Sequence, residues 1–96
     1  MNEFFGKLAA RWTAAASRRG ARIAEPALDA AVADEVLELA RVVAHTKERR
    51  FAPLASFVAG MAVERLRTSK GDADAATVAA YIREVREELE GEGPSA

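Results

Sequence analysis

The sequence predicts an all-α fold, a compact bundle of four helices with the third in the centre, and three observations carry that prediction. Half of the 96 residues are apolar and alanine dominates that half, which favours helix because alanine loses the least on entering one. Apolar residues return at helical spacing in four separate segments. Glycine and proline are few and punctuate the chain between those segments.

The first helix is expected from about Glu3 to Arg18, with Asn2 as N-cap and Gly20 just past its end. Its apolar stripe is Phe4, Phe5, Leu8, Trp12 and Ala16. A linker, GARIAEP, follows, with Ile23 turned inward. Pro26 suits a first helical turn, so the second helix is expected from there to Thr46. Leu28, Val32, Val36, Leu39, Ala40 and Val43 share one face of it, and Asp34 offers a cap for a restart near Ala33.

The third helix is expected from Pro53 to near Ser69, with Leu54, Phe57, Val58, Met61, Ala62 and Leu66 as its stripe. No charge falls between Phe51 and Val63, a run too short to span a bilayer and suited to a central, mostly buried helix. Gly60, with Ser56 and Ala59, would admit a close neighbour on its second side. Asp72 or Asp74 caps the fourth helix, whose apolar positions are Val78, Tyr81, Ile82, Val85 and Leu89. One helical domain is thus expected over residues 1–90, with a disordered tail at 91–96.

Composition removes several functional classes. With no cysteine there is no disulfide, thiolate metal site or thiol nucleophile. The N-terminus does not read as a secretory signal and no apolar run reaches the length of a membrane span, so a cytoplasmic protein is expected. The net charge of −1 hides a gradient. Residues 1–24 carry five bases and one acid, whereas residues 71–96 carry two bases and seven acids. No chain-wide basic surface for nucleic acid exists, and the opposed ends suit attraction to each other or to a second copy.

Two groups of residues are candidates for a site. Arg41, His45 and Arg49 follow one another at i, i+4 and i+8, with Lys47 and Arg50 close by, and the next helix begins immediately afterwards. Such a corner suits an anion, because side-chain donors and helix N-terminal amides converge. The simpler account is a solvated polar face whose cations offset the carbonyls ending a helix. The lone histidine has no second histidine or carboxylate pair to make it a base or a ligand. Phe4, Phe5 and Trp12 form the second group, either as core or as a docking patch near a terminus.

The stretch LELARVVAHTKERRFAPLASFVAGMAVER resembles a family of uncharacterised small helical proteins, a domain of unknown function in GC-rich bacteria. Leu37, Leu39, Ala40, Arg41, Val43, Ala44 and His45 carry the resemblance, followed by Arg49, Ala52, Pro53, Leu54, Phe57 and Gly60. It departs at Val42, where the family pattern has an acid. Relatives occur alone or as a C-terminal extension of the guanylyltransferase that completes molybdopterin guanine dinucleotide. The resemblance therefore implies a link to molybdenum-cofactor maturation and gives no catalytic mechanism.

The expected function is a non-enzymatic accessory or interaction module without a cofactor. Its partner would be a second copy or the molybdenum cofactor guanylyltransferase. The alternative is a binder of an anionic pterin or nucleotide at the corner between helices two and three, through Arg41, His45, Arg49 and Arg50.

Overall fold

Alanine-rich, regularly striped segments become four helices in the computed structural model, which describes residues 3–93. They are α1 (Glu3–Arg18), α2 (Ala30–Thr46), α3 (Phe51–Lys70) and α4 (Ala75–Glu92), and no strand occurs among the described residues. The chain is all-α. It divides into two compact units, Met1–Ala30 and Ala31–Ala96, where a single domain over 1–90 is the expectation.

In the first unit, α1 ends as its sequence dictates. Gly20 takes φ +77°, its N–H donates to the Ser17 carbonyl, and the Ala21 N–H donates to the Ala16 carbonyl. This pair of bonds satisfies two carbonyls that the helix end would leave orphaned, and the positive φ is one that only glycine adopts cheaply. The expected cap, Asn2, lies outside the described residues. Phe4 and Phe5 meet edge to face, with ring centroids 5.1 Å apart.

The connection to α2 is longer than expected. Residues 21–29 are non-helical, so Pro26 does not open the helix. Proline disfavours helix at the preceding Glu25, and Pro26 and Leu28 line a shallow groove with Phe5, Leu8 and Trp12. Leu28 thus belongs to the first unit rather than to the α2 stripe, and Ile23 is exposed. The helix begins after Asp29, a residue type favoured before a first turn, and runs unbroken past Asp34.

In the second unit the core is small. Leu39 and Val43 of α2, Val63 of α3, and Val78 and Ile82 of α4 form it, with Val32, Val36, Ala55, Ala59, Tyr81 and Leu89 packed around them. Asp74 caps α4, its carboxylate accepting from the Thr77 N–H at 2.8 Å. Residues 91 and 92, expected in the tail, continue α4 until Gly93 at φ +74°, whose N–H donates to the Glu90 carbonyl. Residues 94–96 of that tail lie outside the described residues.

The expectation that α3 is mostly buried is corrected by the structure. Val63 is its one buried residue, against four in α2 and three in α4. Ala55 and Ala59 face the core, while Leu54 and Phe57 are 63% and 70% exposed, and Val58 is exposed beside them. The physical reason lies in residue size: the other two helices approach along the alanine positions, and the large side chains, between about a quarter and a half of a turn away, stay outside. Gly60 is exposed and meets nothing within 4 Å of where a Cβ would stand, so no helix approaches closely there.

Candidate interaction surface

The corner between α2 and α3 gathers the cations foreseen in the sequence and then neutralises most of them. The Arg41 guanidinium donates twice to Glu38, from Nε at 3.0 Å and Nη2 at 2.8 Å, and lies 3.8 Å from Glu90. The Glu38 hydrogen bonds and charge hold its pKa above the ordinary arginine value. Lys47 faces Glu92 at 3.6 Å. Arg50 faces Glu48 at 3.6 Å and covers the Phe51 ring at 5.7 Å from its centroid. His45 and Arg49 are exposed.

The amides at the start of α3 are also engaged. Phe51 N–H donates to the Glu48 carbonyl, Ala52 N–H donates to the Arg49 carbonyl, and Pro53 has no N–H. An anion there would have to displace carboxylates from Arg41 and Lys47 and carbonyls from two amides. The geometry gives that reading little support.

A different polar group, not foreseen from the sequence, ties α2 to α4. Glu35 accepts from Arg83 Nε at 3.0 Å and Arg86 Nη2 at 3.3 Å, and Arg86 Nη1 donates to Glu90 at 2.6 Å. Partial burial pushes the Glu35 carboxyl up, but the hydrogen bonds and charges of the two arginines outweigh it and hold its pKa below the usual value. Arg86 Nε is buried without an acceptor, while both of its terminal nitrogens are used. These are scaffold contacts between helices rather than a reactive constellation.

On the other side of α4 the second unit opens into an apolar groove of about 290 Å³. Tyr81, Val85 and Leu89 of α4 form one wall, Val58 of α3 the other, and Leu39 and Ala59 lie between them. Tyr81, Val85 and Leu89 recur at i, i+4 and i+8, one line along the helix. Beyond Val58 the apolar surface continues over Leu54, Phe57 and Met61, all exposed. Glu84 and Glu88 follow Tyr81 and Val85 by three residues each on the outer side of the α4 wall, and neither makes an ion pair among the described residues.

The aromatic residues singled out near the N-terminus divide. Phe4 and Trp12 are 62% and 61% exposed, and Phe5 is half-buried in the first unit. Among the described residues no group of three His, Cys, Asp or Glu side chains is placed to hold a metal, and no helix is long and apolar enough to cross a membrane.

The family model described as Domain of unknown function (DUF6457) matches residues 6–95, nearly the whole chain. The chain belongs to that family. The match runs through both units of this DUF6457 domain, so the first helix and the three-helix unit are parts of one family pattern. No curated protein and no solved structure matches the chain.

Proposed function

We propose that this DUF6457 domain is a non-enzymatic accessory module of the bacterial cytoplasm that works by docking an apolar helical face against another protein chain. One observation carries the reading: the large apolar side chains of α3 point outward while its alanines face the core. Exposed apolar side chains are ordinary when scattered singly. A continuous band over Leu54, Phe57, Val58 and Met61 that runs into a groove is the signature of an interaction site. The resemblance to extensions of the molybdenum cofactor guanylyltransferase makes that enzyme the expected partner, beside a second copy of the chain. Binding of an anionic pterin or nucleotide at the α2–α3 corner is the weaker reading, since the corner's cations already face carboxylates.

The test is capture of the purified guanylyltransferase by the immobilised domain, alongside sedimentation of the domain alone at micromolar concentration. The reading expects retention of the enzyme, self-association, or both. Phe57→Ser with Val58→Ser should abolish either one at unchanged helix content. A monomer that retains no guanylyltransferase ends the proposal.

A further inference from the structure

We infer that the α3–α4 groove of one copy receives α1 of a second copy, each chain lending its first helix to the other. This inference rests on the docking reading and names its partner.

Spacing supplies the first argument. The exposed Phe4 and Trp12, with Leu8 between them, repeat at i, i+4 and i+8 along α1. The groove wall repeats Tyr81, Val85 and Leu89 at the same interval. At 1.5 Å per residue each line is about 12 Å long, so three side chains of the guest meet three of the wall.

Charge supplies the second. Lys7, Arg11 and Arg18 lie at i, i+4 and i+11, which places them on one flank of the Phe4–Leu8–Trp12 line. Arg11 and Arg18 are exposed and make no ion pair among the described residues. Glu84 and Glu88 flank the groove wall in the same condition. A basic-flanked apolar helix is therefore the guest that an acid-rimmed apolar groove selects. A reciprocal exchange uses both contacts twice and closes as a two-fold dimer.

The experiment uses two full-length variants, Glu84→Lys/Glu88→Lys and Arg11→Glu/Arg18→Glu. All four positions are exposed, so circular dichroism should match the wild type. Each variant alone places like charges across both contacts, and its dimer dissociation constant should rise at least about tenfold. An equimolar mixture restores opposite charges at both contacts and should sediment as a heterodimer with near wild-type affinity. The inference is overturned by self-association unaffected by either reversal, or by a mixture that remains monomeric. In the first case docking through the apolar face still stands with another geometry. Capture of the guanylyltransferase by a domain that is always monomeric likewise overturns the exchange and leaves the docking reading intact.

Discussion

Asp74 and Glu35 show how single side chains set this fold, one locally and one between helices. Asp74 satisfies the Thr77 amide at the start of α4, and Asp74→Ala should lower the midpoint of chemical denaturation. Its signature, an acid three residues past a glycine and just before an alanine-rich run, is visible in the sequence. Glu35 is a different case. Its carboxylate, only 13% exposed, meets two arginines that lie 48 and 51 residues further along, and no local pattern marks them. Because its folded pKa lies below its ordinary value of 4.5, the stability it contributes is present above that pH and is lost as pH falls through the lower, folded value. Glu35→Gln should therefore cost about 1 kcal/mol at neutral pH and flatten the acid limb of the stability profile, as urea titrations from pH 7 to pH 3 would show. Val42 belongs here too. It is almost fully buried, so in this chain that position fills space.

At the scale of elements, periodicity located all four helices, and the errors came where size or proline decided. The start of α2 moved from Pro26 to Ala30 because the apolar residues before it line the α1 groove instead of continuing the helix. The stripe of α3 was legible as apolar but not in its direction. Thirteen uncharged residues give no polar face to mark the outside, and hydrophobicity alone pairs Leu54 and Phe57 with the core when the alanines are the ones that touch it. The groove beside Tyr81 was missed for the same reason, since its floor consists of residues that read as ordinary core. Gly60 tests this picture. Expected to admit a close neighbour, it has open space around it, so Gly60→Ala should raise stability by about 1 kcal/mol through helix propensity. A loss of stability would mean a helix does pack there. The α2–α3 corner makes an opposite kind of prediction. A ligand at 100 times its Kd adds about 2.7 kcal/mol, so a real anion site would announce itself. Phosphate, molybdate and GTP should each leave Tm unchanged, and a shift abolished by Arg41→Ala would restore the corner as a site.

For the whole molecule, the central claim is that a small α-helical chain leaves its large apolar side chains outside because another chain covers them. A domain of this length buries a modest share of its surface, and covering an exposed band stabilises it further. The opposed charges of the two ends, legible in the sequence, agree with that claim but do not locate the surface; the outward residues of α3 do. Sedimentation equilibrium across micromolar concentrations, comparing the wild type with Val58→Asp, tests the claim most directly. Val58 is exposed, so the variant should keep its helix content. The account predicts a concentration-dependent mass above the monomer for the wild type and a monomer for the variant. A wild type that stays monomeric throughout, and whose mass is unchanged by added guanylyltransferase, would contradict it.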